Sequence, residues 1–300
     1  MEKLYEYILN GIKSSRKFYD SRTKGSFENY LTSLQASVRE LRNTYRSSYV
    51  DVDYSRPAIQ AAYLIAYYPH YVEMNLEILR LLSSELSYDR EIKACFFGAG
   101  PCPELVGLVQ LLTERSLKTK RITVNAYDIA SDTWTLSREI TRKFIVPNLW
   151  RGRLTLNSQS LDFNRKKSFF VIQSNLQDCN LFIFQNCLNE IVERSVLLEN
   201  VEFLINNISR GSFIIFADLL YKQNLIVFEA IGKMVSSRYD FEIFQERTLT
   251  ITSSLRIPRA IANNLLTGKR GLIPRSKTNF MFLALRKSKK IRDNYDDIPF

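Results

Sequence analysis

The chain has 300 residues, of which 45% are hydrophobic and 24% are charged, and its formal net charge is +11. This composition supports one large folded domain or two small ones, and it excludes an intrinsically disordered chain. Basic residues exceed acidic ones in residues 1–50 and 249–300, whereas residues 51–248 are close to neutral. The basic ends indicate a polyanionic partner such as RNA, although a solvated basic surface explains them as well.

Histidine and cysteine are scarce, and we therefore expect no metal site. His70 is the only histidine, and Cys95, Cys102, Cys179 and Cys187 contain no Cys-x-x-Cys pair. The N-terminus has no apolar signal region, and no apolar run reaches the roughly 18 residues that a membrane helix needs. Together with the unpaired cysteine spacing, these features predict a cytoplasmic chain without membrane contact.

Residues 1–88 carry hydrophobic side chains at helical spacing and are predicted to form a helical layer. The expected helices are 1–20, 27–46, 57–68 and 70–86. Pro57 suits the first turn of the third helix, and Pro69 ends or kinks it. The third and fourth expected helices contain four tyrosines that cannot all share one helix face, namely Tyr63, Tyr67, Tyr68 and Tyr71. We expect the layer to pack over the carboxyl ends of the following strands and one or two of these tyrosines to line a substrate entrance.

From residue 92 onward, short apolar strands alternate with helices. The expected strands are 92–97, 121–129, 153–163, 181–188, 211–220, 241–255 and 278–287. Segment 168–172 fits either a strand or the start of a crossover helix, and a helix is expected over 189–208. Strands separated by helices form βαβ units, so the sequence predicts an α/β fold with a doubly wound, mostly parallel sheet. The expected divisions are 1–88 for the helical region, 89–290 for the sheet domain and 291–300 for a C-terminal tail.

Two neighbouring strands end in residues suited to binding a nucleoside. The first runs into a loop with Gly98 and Gly100, where backbone can pass close to a ligand, and the second ends at Asp128. A carboxylate at that position can accept two hydrogen bonds from a ribose diol. A dinucleotide fingerprint requires G-x-G-x-x-G, and Pro103 stands in place of its third glycine. The pattern therefore predicts a nucleoside site without a phosphate clamp.

These features resemble the S-adenosylmethionine-dependent methyltransferases of the Rossmann-like class. The first motif of that family is acid-x-Gly-x-Gly-x-Gly, in which Gly98 and Gly100 match the first two glycines. Phe96 replaces the acid and Cys102 replaces the last glycine. The ribose-binding acid of the family maps to Asp128. The resemblance covers roughly residues 50–287 and implies a seven-stranded sheet with an antiparallel last strand.

Two further segments are similar to methyltransferase-like proteins associated with ribosomal RNA and ribosome assembly. Residues 185–190 look like the Leu-x-Glu-Leu segment of that group, and residues 54–64 are similar to its helical lead-in. The resemblance implies S-adenosylmethionine as the cofactor. The cofactor-binding residues that it implies are Gly98, Ala99, Gly100, Pro101, Asp128, Ile129, Ser160, Leu161 and Gln185. The residues expected to face the methyl group, as the catalytic set, are Asn186, Asn189 and Glu190.

Each of these assignments has a structural alternative. The glycines can serve a tight turn only, Asp128 can cap a helix, and Glu190 can simply open the next helix. Cys187 invites a covalent mechanism, but the family uses a Pro-Cys pair there, and Asn186 precedes Cys187 in this chain. His70 is expected to be packed or to cap a helix. Arg56 is a candidate for the carboxylate of the cofactor.

Three functions remain open. The first is an active methyltransferase, with RNA or a ribonucleoprotein favoured as acceptor and as partner. The second is a methyltransferase-like RNA-binding or assembly protein without turnover, which the departures at Phe96 and Cys102 keep open. The third is a dinucleotide-dependent oxidoreductase, which Pro103 disfavours.

A positive rim beside the site is expected from the connection between the last two strands. Its basic residues are Arg256, Arg259, Lys269, Arg270, Arg275 and Lys277.

Overall fold

The computed structural model describes residues 1–45, 52–86 and 90–289, except for the side chain of Asn189. The expected tail 291–300 and the expected boundary near residue 88 lie outside the described residues. Among the helices that are described, none is long and apolar enough to cross a membrane.

A seven-stranded sheet with the order β3-β2-β1-β4-β5-β7-β6 forms the centre of the molecule. Its strands are β1 Glu91–Phe97, β2 Arg121–Asp128, β3 Arg153–Ser160, β4 Leu181–Gln185, β5 Phe213–Leu219, β6 Phe241–Thr252 and β7 Lys277–Lys287. Strands β1 to β5 pair in parallel, whereas β7 runs antiparallel to both β5 and β6. This confirms the predicted α/β fold, a doubly wound, mostly parallel seven-stranded sheet with an antiparallel last strand. The strand order reverses between β1 and β4, which is where such sheets bind ligands.

In the described part of the chain before the sheet, the helices are α1 Leu4–Ser14, α2 Ser21–Lys24, α3 Phe27–Ser33, α4 Gln35–Thr44, α5 Pro57–Ala66 and α6 Tyr68–Leu81. The single helix expected over 27–46 is divided at Leu34. The Leu34 N–H is shared between the carbonyls of Tyr30 and Leu31, and the Ser33 hydroxyl donates to the Tyr30 carbonyl as well. These local bonds compete with continuation of the helix, so α3 ends there.

The helices within the sheet region are α7 Pro103–Glu114, α8 Thr135–Ile140, α9 Val146–Leu149, α10 Gln173–Asp178, α11 Arg194–Asn207, α12 Lys222–Ser236 and α13 Arg259–Asn264. The ambiguous segment Ser168–Ile172 is a 3-10 helix that leads into α10. The helix expected over 189–208 begins later, at Arg194. The first turn that the sequence predicts is not helical, because the N–H groups of Val192 and Glu193 donate to the side-chain oxygen of Asn164. Leu188–Glu190 consequently forms a separate 3-10 turn.

Two hydrophobic clusters cover the two faces of the sheet, because successive strand residues point to opposite sides. Phe96 and Ile183 lie in the cluster that also contains the N-terminal helices and α7. Phe97 and Phe184 lie in the other cluster, where their ring centroids are 4.3 Å apart. Each fully buried phenylalanine contributes roughly 1.5–3 kcal/mol. Burial on both faces holds the carboxyl ends of β1 and β4 in a fixed relation.

Candidate functional site

A cleft opens at the carboxyl ends of β1, β2, β4 and β5, where the strand order reverses. Its floor comes from the loops that follow these strands, and one wall comes from tyrosines of the N-terminal helical layer. A concave site lined by apolar groups with a few converging polar side chains is typical of small-molecule binding.

The glycine loop forms the part of the floor that follows β1. Gly98 has φ +62° and Gly100 has φ +46°, a region that favours glycine. A Cβ atom on Gly98 would lie 2.3 Å from Cβ of Cys187, whereas one on Gly100 would meet nothing closer than Trp134 at 3.5 Å. Ala99 lines the cleft together with both glycines. The first glycine is therefore required by close packing as well as by its backbone angle.

Pro101, which was expected to contact the cofactor, is not among the residues that line the cleft. Its carbonyl instead accepts a hydrogen bond of 2.7 Å from the Thr141 hydroxyl. Pro101 thus anchors the glycine loop to the π-helical turn Thr141–Ile145.

Asp128 ties the end of β2 to the glycine loop. Its Oδ2 accepts a hydrogen bond of 2.9 Å from the Gly100 N–H, and its Oδ1 accepts one of 2.8 Å from the Ala130 N–H. Burial raises the pKa of Asp128 above its ordinary value, and the two backbone hydrogen bonds act in the opposite direction. Each carboxylate oxygen keeps a lone pair after these bonds, so Asp128 can still accept hydrogen bonds from a diol.

The cleft continues past β2 and β3. Ile129 and Leu161 line it as expected, and Asp162, Phe163 and Asn164 line it in addition. Ser160 does not line it, because its hydroxyl donates to the Ile129 carbonyl at 3.1 Å. Only the second residue of the expected Ser160–Leu161 pair therefore faces the cleft.

The end of β4 and the loop after it bring amide atoms without hydrogen-bond partners to the cleft. Gln185 donates from Nε2 to the Tyr71 carbonyl at 2.7 Å, and its Oε1 has no hydrogen-bond partner among the described residues. Asn186 has φ +54°, and no described residue bonds to either polar atom of its side-chain amide. Buried amides normally find partners, so these atoms are available to a ligand.

Glu190 lies in the 3-10 turn after β4 and lines the cleft. Burial, followed by the negative charges of Asp128 and Asp218, raises the pKa of Glu190 to about 8. A carboxyl with this pKa can act as a general base near neutral pH. The side chain of Asn189 lies outside the described residues, and its expected role stays a prediction.

The cleft is lined by carboxyl groups, whereas the whole chain carries a formal net charge of +11. Its carboxyl side chains are Glu104, Asp128, Asp162, Glu190 and Asp218. Of the described residues that line it, none is lysine, arginine or histidine. The groups that could hold a metal do not converge either, since the described residues contain no cluster of three or more histidine, cysteine or acidic side chains suited to an ion. The cleft therefore favours a cation or a neutral group over a phosphate.

An aromatic wall faces these carboxyl groups and consists of Tyr45, Tyr54, Tyr63, Tyr71, Trp134 and Tyr221. Tyr54 lies 4.4 Å from Trp134 between ring centroids, and its hydroxyl bonds with that of Tyr45 at 2.7 Å. Of the tyrosines noted in the sequence, Tyr63 and Tyr71 line the cleft and the other two do not. No local pattern identifies the rest, because residues from distant segments meet only in the folded chain.

The remaining candidates lie outside the cleft or are chemically unsuited to it. Arg56 pairs with Glu40 at 2.7 Å, and His70 is buried 3.8 Å from Glu73. Burial raises the pKa of the Cys187 thiol well above its ordinary value. A thiol held protonated is a poor nucleophile, which argues against the covalent mechanism.

The basic connection between β6 and β7 packs against the N-terminal helical layer. Arg270 donates to the side-chain oxygen of Gln35 at 2.9 Å, and Arg42 donates to two carbonyls of the connection. The guanidinium of Arg275 lies 5.6 Å from the ring centroid of Tyr67. Because β7 is antiparallel to β5, this connection lies at the same end of the sheet as the cleft.

No family model matches the chain, and no curated protein matches it in sequence. It is similar in structure to an S-adenosylmethionine-dependent methyltransferase from Methanosarcina mazei, with 10% identity over 70% of this chain and 98% of that one and a TM-score of 0.42. It is also similar to the CurJ carbon methyltransferase, with 12% identity over 85% of this chain and 67% of that one and a TM-score of 0.44. A chain of the fibrillarin/Nop5p complex gives 11% identity, coverage of 72% and 82%, and a TM-score of 0.40. Likeness at this level carries no assignment of function, which has to follow from the cleft itself.

Proposed function

We propose that this cleft binds S-adenosylmethionine and that the protein transfers the methyl group to an acceptor. The observation that carries the proposal is the bond between Asp128 and the Gly100 N–H, which joins a nucleoside-binding acid to a glycine loop at the point of strand reversal. The acidic and aromatic lining suits a ligand that carries a sulfonium and an ammonium group. Oε1 of Gln185 and the side-chain amide of Asn186, which have no partner among the described residues, supply additional polar contacts.

The residues divide into two groups in this proposal. Asp128 accepts hydrogen bonds from the ribose, and Ile129 and Leu161 enclose the adenine. Asn186 and Glu190 face the acceptor, and Glu190 removes a proton from the acceptor atom as that atom is methylated. When bound, the cofactor supplies a methyl group on a positively charged sulfur, and the protein contributes orientation and exclusion of water.

A dinucleotide cofactor is not supported by the same geometry. A diphosphate would need the N–H groups at the start of α7. Pro103 has no N–H to offer, and the buried carboxyl of Glu104 lines the cleft at that helix end. The helix terminus is therefore unsuited to a phosphate clamp.

Replacing Asp128 by Ala is expected to weaken binding of S-adenosylhomocysteine by about 1–3 kcal/mol, because ribose hydroxyls lose a buried acceptor. Isothermal titration calorimetry measures this change. Thermal unfolding of the same variant is the control, since Asp128 also holds the glycine loop. Unchanged affinity in a folded variant would remove the ribose assignment.

We propose RNA or a ribonucleoprotein as the acceptor class, on the basis of the basic connection at the cleft end of the sheet. The cleft itself is acidic, so a phosphate backbone would lie outside it, against Arg256, Arg259, Lys269 and Lys277, which are exposed. Only an uncharged part of a nucleotide would enter between the tyrosines. This division separates the groups that hold the backbone from those that receive the methylated atom.

Replacing Arg256, Arg259, Lys269 and Lys277 by Ala is expected to weaken binding of single-stranded RNA and to lower its salt dependence. Each lost phosphate contact reduces the log–log salt slope by roughly 0.7. Arg90, Arg115, Lys118 and Lys120 are exposed at the opposite end of the sheet, and their replacement by Ala is the matched control. Equal affinity and equal salt slope in the two quadruple variants would contradict an RNA-binding rim.

A further inference from the structure

Glu104 is a buried carboxyl group that has no hydrogen-bond partner among the described residues. It lies in the first turn of α7, is 0% exposed and lines the cleft. Neither of its carboxyl oxygens accepts a hydrogen bond from any described residue. Burial raises its pKa well above the ordinary value, and the charge of Asp128 acts in the same direction. An unpartnered carboxyl of this kind lowers the stability of the fold, so a ligand role is the simplest reason for its presence.

Arg138 is the nearby cation, and no hydrogen bond joins it to Glu104. Its Nε and Nη1 donate to the Gly100 carbonyl and to Ser131, while its Nη2 has no hydrogen-bond partner among the described residues. Asp128 accepts a backbone N–H on each carboxylate oxygen, and the proposed function assigns its remaining lone pairs to the ribose. Phe96, at the position of the acid in the methyltransferase motif, is fully buried in the hydrophobic cluster. Glu104 is thus the carboxyl on the α7 side of the glycine loop whose oxygens are open to a ligand.

We infer that Glu104 binds the ammonium group of the amino-acid end of the cofactor. This inference rests on the proposed function. Two cationic groups are present in S-adenosylmethionine, and they differ in what they offer a carboxylate. The sulfonium has no N–H or O–H to donate, whereas the ammonium has three N–H donors that satisfy both oxygens of Glu104. Glu104 is therefore a positioning residue that fixes the amino-acid end and, through it, the direction of the methyl group.

Calorimetry with a set of cofactor fragments tests this assignment. S-adenosylhomocysteine carries the ammonium without a sulfonium, and 5′-methylthioadenosine carries neither. Glu104→Gln keeps the shape of the side chain and removes the negative charge that the carboxyl would carry beside an ammonium group. It is therefore expected to weaken S-adenosylhomocysteine binding about 10- to 150-fold. Binding of 5′-methylthioadenosine is expected to stay within about twofold of wild type. Glu114→Gln, at the other end of α7, is the matched control and should change neither affinity.

The outcomes separate this inference from the proposed function. If the wild type binds S-adenosylhomocysteine and Glu104→Gln weakens both ligands equally, or neither, then Glu104 does not hold the ammonium group. If the wild type binds neither ligand, the proposed function fails and the inference falls with it. A second variant covers an effect on folding: Glu104→Leu should raise the melting temperature of the free protein by a few degrees while losing S-adenosylhomocysteine affinity, because it removes an unpartnered polar group. A lowered melting temperature in that variant would indicate a structural pairing of Glu104 with Arg138 instead.

Discussion

Replacing Glu190 by Gln should lower the rate of methyl transfer about 10²- to 10⁴-fold, which is the usual contribution of a positioned general base. The carboxyl has a pKa of about 8, because burial and the charges of Asp128 and Asp218 disfavour its ionised form. A base acts when deprotonated, so the wild-type rate should rise with pH through about 8. The Gln variant should lose this rise. Initial rates between pH 6 and pH 9 measure both effects.

Glu193 provides the control for this experiment, because it is exposed and follows Glu190 by one turn. Glu193→Gln should have the wild-type rate and the wild-type pH profile. A Glu190→Gln variant with an unchanged rate would show that the acceptor needs no base and that Glu190 serves the 3-10 turn only.

Replacing Gly98 by Ala should lower the free energy of unfolding by about 2–5 kcal/mol. Two costs combine here, namely a positive φ for a residue with a side chain and a collision in a packed site. The new Cβ would lie 2.3 Å from Cβ of Cys187, a distance that requires the loop or β4 to move. Because the loop also lines the cleft, affinity for S-adenosylhomocysteine should fall as well. Urea unfolding and calorimetry measure the two effects.

The steric and conformational parts of this effect can be separated. Gly100→Ala has a positive φ but no contact closer than 3.5 Å, so it should cost only about 1–2 kcal/mol. Cys187→Gly removes both colliding atoms, Cβ at 2.3 Å and Sγ at 2.9 Å, and leaves Cα at 3.7 Å. The double variant of Gly98 and Cys187 should therefore recover the steric part in a double-mutant cycle. Additive losses in the cycle would show that the two residues do not collide.

The sequence identifies those parts of the site that follow from local patterns. Apolar strands and glycine positions are local signals, so the sequence predicts the sheet and the glycine loop after β1. The structure brings Gly98, Gly100 and Asp128 together at one cleft. Glu104 is visible in the sequence as an acid in a first helical turn, which is normally a favourable surface position. Its burial depends on the packing of the N-terminal helices against α7. The residues next to Glu104 in the sequence do not indicate this packing.

Long-range contacts explain the remaining differences. Tyr45 and Tyr54 come from the helical layer, and Tyr221 follows β5, yet all three face one cleft. The helix α11 begins only at Arg194 because the side chain of Asn164, which precedes β4, accepts hydrogen bonds from the N–H groups of Val192 and Glu193. Ser160 and Pro101 do not line the cleft, and each forms a hydrogen bond with a neighbouring segment instead. These contacts depend on the tertiary arrangement, and helix or strand periodicity does not encode them.

Transfer of a labelled methyl group tests most directly whether the cleft carries out methyl transfer from S-adenosylmethionine. Purified protein is incubated with S-adenosylmethionine carrying a tritiated methyl group and with separate RNA, protein and small-molecule fractions of a cell extract. We expect label in the RNA fraction with the wild type and strongly reduced label with Glu190→Gln and Asp128→Ala. Label in another fraction, lost in the same variants, would retain the methyltransferase and replace its acceptor. No label in any fraction above a protein-free control would contradict the account.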